Sequence, residues 1–279
     1  MIKSVITAAG KGTRLLPATK ELPKEMMPIF SSIYGKKKIA IPLLQFVFEQ
    51  MYAIGIRDYC FVVGREKRSI EDHFTPHEEY LNGISGDAKN QISKFYKKLN
   101  DSYLFWINQN TPLGFGDAVK ITERYIGRDN FVVHGGDVSI IGGKKHPILR
   151  LIETASEHQS ASAILLLKKV KDSKRYGVPE IKEKRGNLIW IKTVEEKPEK
   201  PKSKYGIMPL YYFKPEIFQA LKKIKRGKGN EFQQTDAIQK LLEDGKELIS
   251  ITLENNEYEI DVGTVESYKK SLEISYKKA

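Results

Sequence analysis

Ser4-Val5-Ile6-Thr7-Ala8-Ala9-Gly10-Lys11-Gly12-Thr13-Arg14 is the stretch whose reading decides the fold. Its first half is short, β-branched and mostly apolar, which predicts a buried strand over residues 4–8. Its second half is a glycine turn carrying cations. Glycine there lets backbone N–H groups come close to an anion, and a following helix or turn adds its positive end. Neither common phosphate-binding fingerprint is met. Leu15 stands where a dinucleotide fold needs its third glycine, and no Gly-Lys-Ser/Thr of a P-loop follows. A dehydrogenase and a P-loop ATPase are therefore disfavoured, and the turn by itself is equally well a structural one.

The same rhythm continues outward. Strand-like runs at 59–63, 103–107 and 131–134 alternate with apolar residues at helical spacing over 43–54, 67–74, 92–99 and 118–125. Alternation of this kind predicts βαβ units: an α/β chain with a Rossmann-like, mostly parallel sheet flanked by helices. From about residue 139 the pattern loosens into strands at 161–167, 188–194, 207–212 and 248–252, which predicts a smaller mixed part. Aliphatic and aromatic residues at helical spacing over 265–276 predict a closing helix.

Composition bounds what such a chain can be. At 279 residues it can bury a large core as one domain or two packed ones, and its 40% apolar content with interspersed charge is that of a globular protein. No run of about 18 apolar residues is present, so no membrane span is expected. Lys11 and Arg14 interrupt the apolar N-terminus before it reaches signal-peptide length. The single cysteine, Cys60, excludes an internal disulfide and suits a reducing cytoplasm. The 47 basic residues against 35 acidic give a net charge of +12, which fits either a polyanionic partner or a lysine-solvated surface. Nucleic-acid binding would want basic residues interleaved with stacking aromatics, or a known module, and neither is found.

Several further segments could carry chemistry. The glycine turn continues as Leu16-Pro17-Ala18-Thr19-Lys20-Glu21-Leu22-Pro23-Lys24-Glu25-Met26-Met27-Pro28. Gln109-Asn110-Thr111-Pro112-Leu113-Gly114-Phe115-Gly116-Asp117-Ala118-Val119 is a polar strand end opening a helix, with Asp117 a candidate N-cap. Phe131-Val132-Val133-His134-Gly135-Gly136-Asp137 places a carboxylate after a strand, where parallel sheets hold ligands. Glu259-Ile260-Asp261-Val262-Gly263-Thr264 places a second one, which could also cap the closing helix. Tyr176-Gly177-Val178, Val194-Glu195-Glu196-Lys197-Pro198 and Gly229-Asn230-Glu231-Phe232-Gln233-Gln234-Thr235-Asp236-Ala237-Ile238 complete the set. Taken singly, Lys24 is a surface lysine, Asp137 a turn residue and Glu-Lys-Pro a surface turn.

In order, from Val5 to about Gly263, these segments resemble the sugar nucleotidyltransferases, specifically the bacterial-type UTP:glucose-1-phosphate uridylyltransferases. The resemblance implies that Ala8, Ala9, Gly10, Gly12 and Thr13 wrap a triphosphate whose phosphates Arg14 and Lys24 touch. It implies that the Gln109 amide pairs with the uracil edge and the Gly114 backbone lies against the nucleoside. Asp137 would hold Mg2+, with Asp261 as second ligand. On the sugar side, Gly177 would approach the ring, Glu196 would accept from its hydroxyls and Lys197 would bind the 1-phosphate. The catalytic set is then Arg14, Lys24, Asp137 and Lys197. Residues from 1 to about 138 would bind the nucleotide and those from about 139 to 263 the sugar, with 264–279 the closing helix of one domain. The substrates implied are UTP and glucose 1-phosphate, in a cytoplasmic homo-oligomer, dimer or tetramer. Rival readings are a thymidylyltransferase acting on dTTP, and a catalytically silent regulatory subunit that binds nucleotide sugars. Three departures stand out: residues 31–40, with Gly-Lys-Lys-Lys, look inserted as a basic flap or oligomer contact; Gly-Gly-Asp-Val replaces Leu-Pro-Asp-Val; and Pro209 stands where the family tends to have glycine.

Overall fold

A computed structural model of the chain describes residues 2–279; Met1, at the start of the apolar N-terminal stretch, lies outside the described residues. The chain opens with β1 (Lys3–Ala8), a hairpin of β2 (Pro28–Ser31) and β3 (Ile39–Pro42), then α1 (Leu43–Ala53), β4 (Asp58–Gly64), α2 (Arg68–His73) and α3 (Glu78–Asn82). It continues through α4 (Gly86–Asn100), β5 (Tyr103–Gln109), α5 (Phe115–Lys120), α6 (Glu123–Ile126), β6 (Phe131–Gly135), β7 (Val138–Gly142) and α7 (Pro147–Glu157). The second half holds β8 (Ala163–Lys169), β9 (Gly177–Arg185), β10 (Leu188–Glu196), β11 (Tyr205–Phe213), α8 (Ile217–Lys223), α9 (Gln234–Glu243), β12 (Leu248–Thr252), β13 (Glu257–Asp261) and α10 (Val265–Lys278).

Nine strands form one mixed sheet in the order β5-β4-β1-β6-β11-β8-β12-β10-β9. The predicted strand at 4–8 lies inside its parallel half: β1 pairs in parallel with β4 and β6, and β4 with β5. Strand β11 then runs antiparallel to β6 and β8, so the parallel half passes into the mixed half without a break. Alternate residues of these strands face opposite layers, as a period of two requires. Tyr59, Phe61 and Val63 of β4 pack with Leu44, Phe48 and Met51 of α1 and Phe95 of α4. Cys60 and Val62 turn the other way, toward Ala118, Val119 and Phe218 of α5 and α8. A sheet covered on both faces reads as continuous apolar runs, which is why these strands are plain in the sequence.

Elsewhere the structure corrects the sequence reading. The helix predicted at 92–99 extends over Gly86–Asn100, its polar first turns being exposed. The one predicted at 118–125 is two, divided at Ile121–Thr122, where the Thr122 hydroxyl turns back to bond Val119 O at 2.7 Å. The inserted residues 31–40 close the β2–β3 hairpin, which is tied to α10 by Phe30 stacked edge-on against Tyr276 and by Lys38 over the same ring. Neither aspartate caps a helix. Asp117 lies inside α5, and α10 is capped by Thr264 and Ser267 bonding each other's backbone.

Candidate active site

Strand order reverses direction at β1, whose neighbours β4 and β6 lie on either side, and ligands in open α/β sheets bind beyond the carboxyl ends at such a point. A cavity of about 670 Å³ opens there. Ala9, Gly10, Gly12, Thr13, Arg14, Lys24, Gln109, Gly114, Asp137 and Lys197 all line it, so most of the residues singled out from the sequence meet in one place. Gly177 and Glu196 adjoin it through Lys197, and Asp261 through Gly263. Ala8 is 1% exposed, with its side chain in the core.

The glycine turn is pinned rather than loose. Gly12 has φ 66°, a backbone that favours glycine, and its carbonyl accepts from Leu15 N at 2.9 Å and from the Thr19 hydroxyl at 2.8 Å. A Cβ on Gly10 would stand 3.3 Å from Lys24 Nζ, so the bare α-carbon is what admits the lysine beside the turn. Lys24 donates to Asp137 Oδ2 at 2.5 Å. Burial alone would lower the pKa of this ammonium, but the charges of Asp137 and Glu25 outweigh it and hold the value above the usual lysine range. Asp137 is likewise subject to burial, which would raise its pKa, and Lys24 overrides it, leaving the carboxylate below its ordinary value.

Asp261 reaches the same spot through a small second sheet. Strands β7 and β13 pair antiparallel with Asp261 opposite Val138, and Val262 N donates to Asp137 O at 3.1 Å. Burial first, and then the negative charges of Asp137 and Glu259, raise the pKa of Asp261. Arg14 passes alongside, its Nη2 3.2 Å from where a Cβ on Gly263 would stand. Among the described residues no group of three or more histidines, cysteines, aspartates or glutamates gathers to cage a metal. Two carboxylates beside a glycine turn and two cations nonetheless fit Mg2+, which takes one or two protein oxygens and completes its shell with waters and phosphate oxygens.

The Gln109 and Glu196 ends of the cavity are organised differently. Both N–H bonds of the Gln109 amide are engaged, by Gly114 O at 3.2 Å and Asp117 Oδ2 at 2.8 Å, leaving its carbonyl oxygen as the acceptor. Gly114 has φ 112° and lies under Glu231 and Phe232, with Phe232 N bonded to Leu113 O, so the segment 229–238 also walls the end of the cavity near Gln109. On the other side Glu196 stands opposite Gly177 across the β9–β10 ladder and accepts from the Thr235 hydroxyl at 2.7 Å. Lys197 follows with φ 45°, rare for a side chain of its size, and its ammonium lies 3.4 Å from Glu196 Oε1.

Other participants went unnoticed in the sequence. Thr7, Lys11, Glu25, Phe115, Glu231 and Gly263 line the cavity and stand inside segments already quoted, so adjacency was the signal available. Lys67 carries no such signal. It forms a buried pair with Glu25 at 2.9 Å, steadying the turn that presents Lys24.

Known proteins resemble this chain in sequence and fold. Residues 3–276 match the family model described as nucleotidyl transferase. A UTP--glucose-1-phosphate uridylyltransferase of Streptococcus pneumoniae is 39% identical over 246 residues, covering 86% of this chain and 79% of that protein. Among solved structures, apo UDP-glucose pyrophosphorylase superposes with a TM-score of 0.87 at 30% identity, covering 100% of this chain and 99% of the other. A UDP-glucose pyrophosphorylase complexed with UDP-glucose gives 0.85 at 29% identity over the whole of both chains.

Proposed function

The chain belongs to the nucleotidyl transferase family, and from that membership and the geometry of its cleft we propose that it transfers a uridylyl group from UTP to glucose 1-phosphate, giving UDP-glucose and pyrophosphate. The observation that carries this reading is the meeting of the Gly10–Gly12 turn, Lys24, Asp137 and the Glu196–Lys197 pair around one cavity. A phosphate oxygen of the sugar 1-phosphate attacks the α-phosphorus in line; the new P–O bond forms as the bond to the β-phosphate bridging oxygen breaks, and pyrophosphate leaves. No side-chain nucleophile is needed.

The protein's task is to align two anions that repel each other. Arg14 and Lys24 face the triphosphate and Lys197 the 1-phosphate. Each cation about 4 Å from a phosphate oxygen contributes roughly 4 kcal/mol at an effective dielectric near 20, before desolvation. Asp137 and Asp261 would hold Mg2+, which when bound would neutralise charge on the reacting phosphates. The free carbonyl oxygen of Gln109 suits the imide N–H of uracil, and Glu196 the sugar hydroxyls.

Thymine presents the same imide edge and differs by one methyl, worth about 1 to 3 kcal/mol. A matrix of UTP and dTTP against glucose, galactose and N-acetyl sugar 1-phosphates, scored by pyrophosphate release, tests the assignment. Turnover highest with UTP and glucose 1-phosphate is expected; preference for dTTP, or UTP binding without turnover, would overturn it.

We place the enzyme in the cytoplasm as a homo-oligomer. No helix among the described residues is long and apolar enough to cross a membrane. One edge of the large sheet, β9, carries Pro179 and alternating charges, the usual protection of an edge. The opposite edge, β5, is uncharged and exposes Tyr103 and Phe105, which suits it to a second copy. Light scattering checks this: a dimer or tetramer is expected, and Phe105→Lys should shift it toward monomer.

A further inference from the structure

Asp137 stands on a mount built from two glycines and a proline. Gly136 closes against β1, its N–H bonded to Thr7 O at 2.9 Å. Gly135 faces β11 instead. A Cβ on Gly135 would stand 3.1 Å from both Cβ and Cγ of Pro209 and 3.4 Å from Asp137 Oδ1. The bare α-carbon is thus flanked by a pyrrolidine ring on one strand and by the carboxylate on its own. Two departures from the family wording noted above, Gly-Gly before Asp137 and Pro209, are therefore in contact.

Pro209 can occupy this position because β11 is irregular there. Ile207 pairs with Leu167 but Tyr211 pairs with Leu165, so the residues between them bulge from the ladder and an absent N–H costs nothing. A pyrrolidine ring has almost no rotamer freedom to lose, which makes it a rigid backstop. At its start the same strand meets the sugar side: a Cβ on Gly206 would stand 2.7 Å from the ring of Tyr176, next to Gly177.

We infer that Pro209 is a positioning residue, whose ring packed on Gly135 sets the placement of the Asp137 carboxylate toward a divalent cation that bridges substrate phosphates. The inference rests on the reading of Asp137 as a metal-holding group. Mg2+ demands near-ideal octahedral geometry, and displacing a reacting group by about 1 Å can cost on the order of a hundredfold in rate.

The test measures binding as well as rate. Mn2+ affinity in the presence of UTP is read by electron paramagnetic resonance, with kcat and half-saturating Mg2+ read separately, for Pro209→Gly, Pro209→Ala, Gly135→Ala, Gly135→Ala/Pro209→Gly and Asp137→Asn. Pro209→Gly should weaken Mn2+ binding and raise half-saturating Mg2+ by about tenfold, with the KM for UTP within about twofold, because the mount loosens without touching the nucleotide. Pro209→Ala should fall between it and the parent, and melting temperatures show that all are folded. Gly135→Ala should bind Mn2+ less well than either Pro209 variant. The double variant should bind Mn2+ better than Gly135→Ala alone, the new methyl taking the space the ring vacated. Unchanged Mn2+ affinity in Pro209→Gly, or a double variant whose defect is the product of the singles, overturns the inference while Asp137→Asn still abolishes binding. Mn2+ bound undiminished by Asp137→Asn would instead overturn the metal reading and this inference with it.

Discussion

Asp137→Ala separates the cleft's chemistry from its stability. The substitution removes the acceptor that Lys24 holds at 2.5 Å. At that distance, and at an effective dielectric near 20, two unit charges attract by roughly 6 to 7 kcal/mol. Much of this offsets the water both ions shed, for the two side chains are only 13% and 26% exposed. Breaking a fully buried pair by removing one partner costs about 3 to 5 kcal/mol. Here the cost is smaller, since Glu25 still faces Lys24 and the repulsion between Asp137 and Asp261 is relieved. A net loss of about 1 to 3 kcal/mol lowers the melting temperature of a chain this size by roughly 2 to 10 °C. Turnover should fall by at least about a thousandfold, about 4 kcal/mol of transition-state stabilisation. Pyrophosphate release from UTP and glucose 1-phosphate across a Mg2+ series, beside a thermal melt, measures both. Asp137→Asn keeps an oxygen for Lys24 and should melt nearer the parent while losing the same activity. A folded Asp137→Ala protein with full Mg2+-dependent turnover would refute the reasoning.

Three other outcomes are expected. Gly177→Ala puts a methyl 3.3 Å from Glu196 Oε2 and against the Thr235 side chain, so the KM for glucose 1-phosphate should rise about tenfold or more while that for UTP holds; equal change in both would count against Glu196 as a sugar acceptor. Lys67→Met leaves Glu25, 1% exposed, without its nearest counterion, and denaturant melts should show a loss of about 3 to 5 kcal/mol near neutral pH. Burial lowers the pKa of His73 and His134 to about 4 and of His146 to about 3. Folded values below the unfolded one mean that the unfolded chain binds more protons in this window. Their contribution is therefore full above about pH 6.5 and is lost as pH falls toward 4, roughly 1.4 kcal/mol per histidine per pH unit. Melts from pH 7.5 to 5 check the sign, and replacing His134 with Phe should flatten the slope.

What the sequence determined by itself is what depends on neighbours along the chain. Strands β1, β4 and β6 are legible because strands buried on both faces must be runs of apolar residues, the edge strand β5 because its aromatic and aliphatic residues favour a strand, and the glycine turn because backbone freedom is a property of single residues. The helices α7, α8 and α9 escaped notice: each is short, and its apolar positions are interrupted by polar ones that the outer surface tolerates. Strands β7 and β13 escaped for a deeper reason, since five-residue strands acquire meaning only from a partner far off in the chain. Tertiary structure alone decided that Asp261 comes beside Asp137, that Lys67 neutralises Glu25, and that Pro209 rests on Gly135. Even Lys24 and Asp137, both legible as candidates, lie 113 residues apart, and nothing local to either says that they touch. Pairing across such separations is fixed by sheet register and by layers packing on both faces, and these exist only once the whole chain has closed.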